Sequence, residues 1–528
     1  MKLLTLSFYA LLQSTAFAAL NPLVIKGSKF FDSKTGNQFY FKGVDYQPRT
    51  GVTTKTKDPL ADTVGCKRDA ALFTDLGINS VRVYETDYTL NHDTCMKAFE
   101  DAGVYVLIDI PTPFYSINRD TPSWDTDLLQ QFKLKVNAFS GYNNLAGFII
   151  GNEVTNSKSN TPASAFVKAS IRDIKTYIKS QKLSIPVGYV DNDDEAIRLS
   201  LISYFNCGDD PNARADFYGV NTYRWCGPNA TFTSSGYDDM ISPFANYSIP
   251  VIITEFGCNT VQPRTFKEIE SILGPDMENI SSGGLVYEFS QEDNNYGLVK
   301  VSYGSSDVQK LSDYTTLKGV LSSVSPSGVK MSSYNPSNKV SECPAISDNW
   351  KVSTALPPAP SADVCSCMMG SLNCGLSSSF SSNDTSQSTA LGKSASVICG
   401  LISCNDVSYD TSKGVYGTYS FCNSTERSSW ILNANYLNQK GASGACTIED
   451  VDTVVTSNPK TSSMSSCAKI TTNSVLTNPG STGSTGSTGT NGTSSSTGTT
   501  DKSSSQKSFT LNTISFFAII LFACGITI

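Results

Sequence analysis

The feature that most constrains the fold is an alternation of short strand-like segments with longer helical patterns across residues 19–344. Runs rich in β-branched residues and bounded by turn residues are typical of strands, and eight occur here, at residues 39–44, 80–84, 104–109, 146–150, 186–189, 217–221, 250–254 and 284–289. Helical patterns lie between them, among them residues 68–76, 127–139 and 165–179. Eight such repeats predict an α/β fold, the (β/α)8 or TIM barrel. An open doubly wound sheet is less favoured, because no glycine-rich phosphate-binding loop follows the first strand.

The charge and the histidine content limit the chemistry. The chain of 528 residues has 40 Lys and Arg against 47 Asp and Glu, so it has no surplus of positive charge for binding nucleic acid. Its single histidine, His92, excludes a multi-histidine metal site and makes any Ser-His-Asp or Cys-His mechanism depend on that one residue. His92 lies near Cys95 at the start of a helix, where we expect a surface position. Carboxylates are therefore the leading candidates for acid and base catalysis, without metal or cofactor.

Both ends of the chain carry targeting patterns. Lys2, an apolar run over residues 3–12 and the small-residue pattern at residues 16–18 predict a cleaved secretory signal, although a first helix of the fold is the alternative. Residues 509–528 are largely apolar, follow a Ser/Thr-rich spacer and are not followed by Lys or Arg, which predicts a GPI-attachment signal that is removed. Asn491 and Gly498 are both acceptable attachment sites, and a tail-anchored helix is the alternative.

The cysteines and glycosylation sequons agree with a secreted protein. Fifteen cysteines indicate an oxidising compartment, and loss of Cys524 with the tail leaves an even number for disulfide pairing. Asn-x-Ser/Thr sequons predict surface glycosylation at Asn229, Asn246, Asn279, Asn383, Asn423 and Asn491. We therefore expect an extracellular, monomeric protein held at the outer face of the plasma membrane by its anchor.

Composition divides the chain further. The expected segments are the signal at 1–18, the barrel at 19–344, a proline-containing linker at 345–363, a cysteine-rich module at 364–467, a Ser/Thr/Gly-rich stalk at 468–508 and the removed tail at 509–528. The module contains eight cysteines and no histidine, so zinc is a poor explanation for them. Spacing alone leaves on the order of a hundred pairings open.

Two glutamates stand where a barrel places its catalytic groups, at the carboxyl ends of strands. Strand four runs into Asn152 and Glu153, and strand seven runs into Glu255. Facing each other across the barrel mouth, they would supply the acid and the nucleophile of glycoside chemistry, with retention if they lie roughly 5 to 5.5 Å apart. Either glutamate alone is more readily explained as a solvated loop residue. The pair at strands four and seven favours the catalytic interpretation.

Other strand ends carry side chains that suit a sugar. Amide and carboxyl groups bind hydroxyls and aromatic rings stack on sugar faces, and the candidates are Gln47, Tyr84, Asp109, Tyr223 and Tyr287. For Tyr84 and Tyr287 a core position is the alternative. Arg82 shares the inward parity of Tyr84, so we expect it to hydrogen-bond Glu255 and to lower the pKa of that carboxyl.

Several phrases resemble a known family across roughly residues 19–340. They lie at residues 42–48, 151–154, 216–219, 225–227, 254–258 and 282–285. They look like the fungal β-1,3-glucanosyltransferases of glycoside hydrolase family 72, which build the cell wall. The resemblance implies Glu153 as acid/base and Glu255 as nucleophile. It also implies substrate contacts from Gln47, Tyr84, Asp109, Asn152, Tyr223 and Tyr287, and transfer of the glucosyl-enzyme to the 3-hydroxyl at the non-reducing end of a second β-1,3-glucan chain.

The cysteine-rich module resembles the family 43 carbohydrate-binding modules through the phrases at residues 365–367 and 420–422. The similarity implies the pairs Cys365–Cys422, Cys367–Cys467, Cys374–Cys446 and Cys399–Cys404 in the module, and Cys66–Cys95, Cys207–Cys343 and Cys226–Cys258 in the barrel. A module that only braces the barrel is the alternative to one that binds glucan. For the whole protein, the alternatives to a transglycosylase are an endo-β-1,3-glucanase and a catalytically silent glucan-binding wall protein.

Overall fold

The computed structural model describes residues 19–51, 57–456, 459 and 464–470. The expected signal, the removed tail and the attachment candidates Asn491 and Gly498 lie outside the described residues, as does nearly all of the expected stalk. The chain divides into two compact units. The barrel unit runs through Pro358 and includes Thr411–Gly414, and the C-terminal unit comprises Ala359–Asp410 and continues from Val415.

The barrel unit begins with a three-stranded antiparallel sheet made of β1 (Leu23–Lys26), β2 (Lys29–Asp32) and β3 (Gln38–Phe39). Eight parallel strands then close into a barrel: β4 (Phe41–Asp45), β5 (Ser80–Val83), β6 (Tyr105–Asp109), β7 (Leu145–Asn152), β8 (Val187–Asp191), β9 (Phe217–Asn221), β10 (Val251–Phe256) and β11 (Ser281–Val286). Each pairs with the next, and β11 pairs with β4. The predicted barrel is confirmed, and each of the eight predicted segments contributes a strand.

Helices and a late hairpin surround the barrel. The α-helices are α1 (Gly65–Leu76), α2 (Asp93–Asp101), α3 (Thr126–Phe139), α4 (Ala163–Ser180), α5 (Arg198–Phe205), α6 (Tyr237–Ile241), α7 (Glu268–Ile272) and α8 (Ser312–Ser323). Two short 3-10 helices span Lys158–Asn160 and Ser242–Phe244, and β12 (Val299–Val301) pairs antiparallel with β13 (Val308–Lys310). The three helices named from the sequence are α1, α3 and α4.

The small sheet of β1–β3 covers the amino-terminal end of the barrel. Phe30 of β2 is fully buried, and its ring centroid lies 5.0 Å from that of Phe41 and 5.8 Å from that of Phe217. Because Phe41 and Phe217 are the first residues of β4 and β9, these rings fill the bottom of the barrel. The functional groups are therefore left to the opposite end.

The last part of the barrel unit covers residues that we expected to form a linker. Trp350 and Val352 are fully buried, and the Trp350 ring centroid lies 5.1 Å from that of Tyr204 on α5. Arg172 of α4 donates a hydrogen bond to the carbonyl of Pro357 at 2.8 Å. These contacts hold the segment before Pro358 against the barrel, and this segment belongs to the barrel unit.

His92 is buried, which contradicts the surface position expected from the sequence. Its side chain is 1% exposed, its Nε2 atom lies 2.7 Å from Oδ2 of Asp58, and its ring packs on Phe139 at 4.3 Å between centroids. His92 directly precedes α2, and its side chain turns inward to meet the carboxylate of a different loop. The histidine has a structural contact and lies outside the candidate site.

The C-terminal unit is small and rich in disulfides. Its elements are α9 (Ala362–Gly370), β14 (Cys374–Leu376), α10 (Thr385–Leu401), β15 (Tyr409–Asp410), β16 (Val415–Tyr416), α11 (Ser424–Asn438), β17 (Thr453–Val455) and α12 (Met464–Cys467). Its disulfides are Cys365–Cys422, Cys367–Cys467, Cys374–Cys446 and Cys399–Cys404. The barrel unit holds Cys66–Cys95, Cys207–Cys343 and Cys226–Cys258. These are the pairs that the family resemblance implies.

Surface features of the described part of the chain are compatible with modification. The sequon asparagines Asn229, Asn246, Asn279 and Asn383 are exposed, and Asn423 is half-buried where its side chain caps α11. Asn491 is not among the described residues. No helix within the described ranges combines the length and apolar character required to span a bilayer.

Candidate active site

The carboxyl ends of the barrel strands supply a layer of polar side chains. The inward-facing groups come from six strands and are Asp45, Arg82, Asp109, Asn152, Asn221 and Glu255. All except Asn152 are buried. Successive residues of a strand point to opposite sides, so residues two or four apart point the same way. Phe41 of β4 and Leu107 of β6 are part of the buried core of the barrel. Asp45 and Asp109, further along the same two strands, therefore also point inward.

Glu153 follows β7 in a backbone conformation that is uncommon for its type. Its φ is 50°, in the left-handed region that side chains with a Cβ rarely adopt. Its N–H donates to the carbonyl of Val190 at 2.9 Å, and its Oε1 accepts from Nδ2 of Asn221 at 2.8 Å. Such strain costs on the order of 1–3 kcal/mol and is concentrated at functional sites. The turn aims the half-buried carboxyl into the barrel mouth.

Glu255 of β10 accepts three hydrogen bonds in a nearly buried position. Its Oε1 accepts from Nη1 of Arg82 at 3.0 Å and from the hydroxyl of Tyr84 at 2.9 Å. Its Oε2 accepts from the hydroxyl of Tyr223 at 2.9 Å. The side chain is therefore fixed at both oxygens, and one of the three donors carries a full positive charge.

Arg82 organises the layer around the nucleophile candidate. Its Nε and Nη2 donate to the two oxygens of Asp109 at 3.0 and 2.8 Å, and Nη2 also donates to Oδ1 of Asn152 at 2.9 Å. The guanidinium is fully buried and lies 4.3 Å from the centre of the Tyr84 ring. The planar guanidinium has five N–H donors and can bind Asp109, Asn152 and Glu255 at the same time, whereas the ammonium group of a lysine would reach fewer of these side chains.

The pKa of Glu255 is raised, contrary to the lowering expected from the sequence. The expected bond from Arg82 is present, and it lowers the pKa together with the hydroxyls of Tyr223 and Tyr84. Burial is the larger effect and raises the pKa, and the charge of Glu153 raises it further. The donors therefore offset part of the cost of ionising a buried carboxyl without reversing the shift.

The remaining predicted contacts fall into different settings. Gln47 is fully buried, and its amide oxygen accepts from the backbone N–H groups of Tyr84 and Glu85 at 3.0 and 2.9 Å, while its amide nitrogen donates to the carbonyl of Lys57. It thus holds the segment that carries Tyr84.

Among the described residues, Nδ2 of Asn152 donates no hydrogen bond, so this group is available at the rim.

Aromatic rings form one wall beside Glu255. The ring centroids of Tyr223 and Tyr287 lie 6.2 Å apart, and both lie within 5.7 Å of that of Tyr296. Sequence reasoning missed Tyr296, because it lies in an irregular segment after β11, where no strand-end pattern identifies it. The edge-on packing of the three rings keeps apolar surface next to the carboxyl.

Asn221 connects the surroundings of the two glutamates. Its Nδ2 donates to Glu153 and also to Oδ1 of Asn152 at 3.0 Å, and its Oδ1 accepts from the hydroxyl of Thr254 at 2.8 Å. Thr254 directly precedes Glu255. Asn221 is the last residue of β9, so the strand-end rule locates it but does not show its contacts. The structure thus brings both glutamates to one barrel mouth.

A metal centre is not formed by the groups around these glutamates in the described part of the chain. Within the described ranges, the set of three potential ligands that lie close together is Cys365, Cys422 and Glu426. Its two cysteines are joined in a disulfide, so they offer no thiolates. The carboxyl groups at the barrel mouth can perform acid, base and nucleophilic catalysis.

Comparison with known proteins agrees with this geometry. The family model described as glucanosyltransferase, of glycoside hydrolase family 72, matches residues 12–325, and the X8 domain model matches residues 380–453. Protein EPD1 of Candida maltosa is 43% identical over 436 residues, which cover 82% of this chain and 78% of that protein. A 1,3-beta-glucanosyltransferase of Arthroderma benhamiae is 40% identical over 499 residues, covering 89% and 90%.

A solved structure extends the agreement to three dimensions. A mutant of Saccharomyces cerevisiae Gas2p, in complex with laminaritetraose and laminaripentaose, is 38% identical and superimposes with a TM-score of 0.74. The match covers 83% of this chain and 96% of that one. With its barrel, its pair of strand-end glutamates and these matches, the chain belongs to the glucanosyltransferases of glycoside hydrolase family 72 and is an enzyme of that family.

Proposed function

We propose that this enzyme is a retaining β-1,3-glucan transglycosylase. It cleaves a β-1,3-glucan internally and transfers the new reducing end to the non-reducing end of another β-1,3-glucan, which elongates the acceptor in fungal cell-wall assembly. The observation that carries the proposal is the contrast between the two glutamates. Glu255 is fixed by three donors, including Arg82, whereas Glu153 accepts one neutral hydrogen bond from Asn221. Two carboxyl groups in different settings suit two different roles.

In the first half of the reaction, Glu153 acts as the acid and Glu255 as the nucleophile. The protonated carboxyl of Glu153 gives its proton to the glycosidic oxygen as the bond to C1 breaks. An oxygen of Glu255 attacks C1 from the opposite face and forms a covalent glucosyl-enzyme ester. The departing chain leaves with the proton, and Glu153 becomes a carboxylate.

In the second half, the roles reverse. The Glu153 carboxylate removes the proton from the 3-hydroxyl of an acceptor glucan, whose oxygen attacks C1 and releases Glu255 as a carboxylate. Two inversions give net retention. Arg82 and the two tyrosine hydroxyls stabilise the released charge on Glu255, since they already donate to both of its oxygens.

The surrounding side chains fit a glucan chain on each side of the cleavage point. The Nδ2 group of Asn152, whose Oδ1 accepts from Arg82 and Asn221, is a donor at the rim and suits a sugar hydroxyl. The rings of Tyr223, Tyr287 and Tyr296 offer apolar surface for the faces of sugar rings in the donor or the acceptor. An acceptor bound on such a wall displaces water, which favours transfer over hydrolysis.

Product length tests the proposal. The secreted ectodomain incubated with reduced laminari-oligosaccharides is expected to form products longer than the substrate. Glu153→Gln and Glu255→Gln, made separately, are expected to lose at least about a hundredfold in activity, because each removes the proton transfer or the nucleophile. Glu270→Gln, an exposed change on α7, serves as the matched control. If shorter products alone accumulate, the enzyme is an endo-β-1,3-glucanase, and full activity in both glutamate variants rejects the site assignment.

The same proposal includes the location of the enzyme. We infer a GPI-anchored monomer at the outer face of the plasma membrane and in the cell wall, supported by the secretory and attachment patterns and by seven disulfides that require an oxidising compartment. The C-terminal unit, which matches the X8 domain, is proposed to bind glucan through a site of its own. Release from intact cells by a phosphatidylinositol-specific phospholipase checks the anchor.

A further inference from the structure

One carboxyl in the polar layer has no role in the mechanism above. Asp45 is the last residue of β4, pairs in register with Arg82 of β5, and is fully buried. Across the described residues, neither of its carboxyl oxygens makes a hydrogen bond of ordinary length and angle, and the hydroxyl of Tyr84 is the hydrogen-bonding group that faces it. Buried carboxylates in proteins are normally paired or hydrogen-bonded, because an isolated buried charge is very costly.

The groups around Asp45 offer it little positive charge. Those that face it are Glu255 from β10, Arg82 and Tyr84 from β5 and its end, and Glu288 from the segment after β11. Glu288 has other partners, since it accepts from Nδ2 of Asn294 at 2.8 Å and lies 3.9 Å from Arg49. Arg82 is therefore the only one of the four that brings a positive charge.

The hydrogen bonds of Arg82 are used by other residues. They go to Asp109, Glu255 and Asn152. Tyr84 donates its hydroxyl proton to Glu255, which leaves its oxygen free to accept. Of the two neighbouring carboxyls, Glu255 accepts three hydrogen bonds and Asp45 accepts none, so a single proton shared between them is more stable on Asp45.

We propose that Asp45 is a positioning residue, held as a neutral carboxylic acid beside Tyr84 and Glu255. In this state it adds no second negative charge next to the nucleophile, and its O–H faces the oxygen of the Tyr84 hydroxyl, whose own proton goes to Glu255. The one proton shared by Asp45 and Glu255 is thus bound to Asp45, and Glu255 remains ionised. The inference rests on the proposed role of Glu255.

The electrostatic surroundings support this state. Burial and the negative charge of Glu255 raise the pKa of Asp45 well above its ordinary value, and the opposing effects of Arg82 and of the Tyr84 hydroxyl are smaller. A comparable arrangement of two carboxyls close together, in which one stays protonated at neutral pH, is known from other active sites.

Replacement of Asp45 by asparagine tests whether the Asp45 carboxyl is neutral or ionised in the enzyme. Asp45→Asn keeps the size, a donor and an acceptor without a charge, so kcat/KM is expected to stay within about threefold of the parent, with the acid limb of the pH profile unmoved. If Asp45 were an anion, its removal would lower the pKa of Glu255 and move the acid limb down by about one pH unit. That shift would overturn the proposal.

Two further variants keep the test informative. Asp45→Ala removes the group that faces Tyr84 and is expected to lower kcat/KM at least about tenfold, which Asp45→Asn does not. Asp109→Asn, a neutral change at the carboxylate that Arg82 binds through both oxygens, is expected to lose a similar amount and shows that the assay detects a lost anion. Parent-like activity in Asp45→Ala would contradict a positioning role.

An infrared measurement tests the protonation state without using activity. Difference spectra between the parent ectodomain and Asp45→Asn at neutral pH are expected to show the C=O stretch of a protonated carboxyl that is lost in the variant. A carboxylate band in its place would refute the proposal. Because this readout does not depend on turnover, it stands even if Glu255→Gln proves active and the proposed function fails.

Discussion

Two identical side chains in this barrel mouth have different surroundings. Glu255 is 8% exposed and has donors on both oxygens, whereas Glu153 is half-buried in a left-handed backbone conformation with one donor, Asn221. These surroundings suit the roles proposed above, because the donors on both oxygens of Glu255 stabilise a carboxylate at that position. The donors to Glu255 are then the residues whose removal is most informative.

Tyr223→Phe is predicted to move the acid limb of the pH profile to higher pH. The Tyr223 hydroxyl donates to Oε2 of Glu255 and lowers the pKa of that carboxyl, so its loss raises a pKa that burial has already raised. The nucleophile is active when ionised, and a higher pKa therefore removes activity first at low pH. We expect a shift of about half to one pH unit and about a three- to tenfold loss of kcat/KM below the limb.

The measurement is the pH dependence of kcat/KM for transfer between laminari-oligosaccharides. Tyr142→Phe is the matched control, since its hydroxyl donates to Asp93 on the outer helix α2 at 2.8 Å. An acid limb that stays in place, or moves to lower pH, would show that the hydroxyl does not stabilise the ionised form.

Sequence reasoning located the key residues because their positions follow from local rules. Glu153, Glu255 and Arg82 were found from strand ends and the alternation of side chains along a strand. The direction of the Glu255 pKa was not predictable in the same way, because it depends on burial and on donors from several strands. His92 was misjudged for a related reason, since its partner Asp58 lies 34 residues away in the sequence.

The strands and helices of the barrel were predictable from periodicity, but the elements that close its ends were not. The sheet of β1–β3 consists of strands of two to four residues, which carry little periodic signal. Their position is set by tertiary contacts, such as Phe30 against the rings at the start of β4 and β9. The pattern of strands also does not show where neighbouring side chains leave no space for a Cβ, so that only glycine fits.

Gly188→Ala is predicted to destabilise the barrel unit. A Cβ at Gly188 of β8 would lie 2.4 to 2.5 Å from three ring atoms of Phe217, a fully buried side chain on the neighbouring strand β9. Because the ring is fully buried in the bottom of the barrel, the overpacking is expected to cost about 1–3 kcal/mol. The free energy of unfolding in denaturant measures the change.

Gly141→Ala is the control for this prediction. A Cβ there meets no atom within 4 Å, so its effect on the free energy of unfolding is expected to stay within about 0.5 kcal/mol. Equal stability of Gly188→Ala and Gly141→Ala would mean that the Phe217 ring adjusts without cost.

At the scale of the whole molecule, the two compact units are stabilised in different ways. The barrel unit has a large core and three disulfides, whereas the much shorter C-terminal unit has four. Small domains bury a smaller share of their surface and often depend on covalent links. The number of cysteines predicted this dependence, but their spacing alone left the pairing open, because contacts between α9, α11 and the strands decide it.

Removal of Cys367–Cys467 is predicted to weaken the C-terminal unit more than removal of Cys399–Cys404. The first bridge joins residues 100 apart and the second joins residues 5 apart. A cross-link stabilises mainly by restricting the unfolded chain, and more so for a longer loop. The bridges that remain shorten the path between Cys367 and Cys467, so we expect a loss of about 3 to 4 kcal/mol, against about 2 kcal/mol for the short loop.

Paired Cys→Ala changes at each bridge, with calorimetry of the ectodomain, measure this difference without leaving an odd thiol. The transition of the C-terminal unit should move to lower temperature in both variants and further in the one that lacks Cys367–Cys467. The transition of the barrel unit should stay in place, because its own disulfides are intact. Equal shifts for the two bridges would mean that the unfolded module is already compact, so that loop length no longer sets the entropy that each cross-link removes.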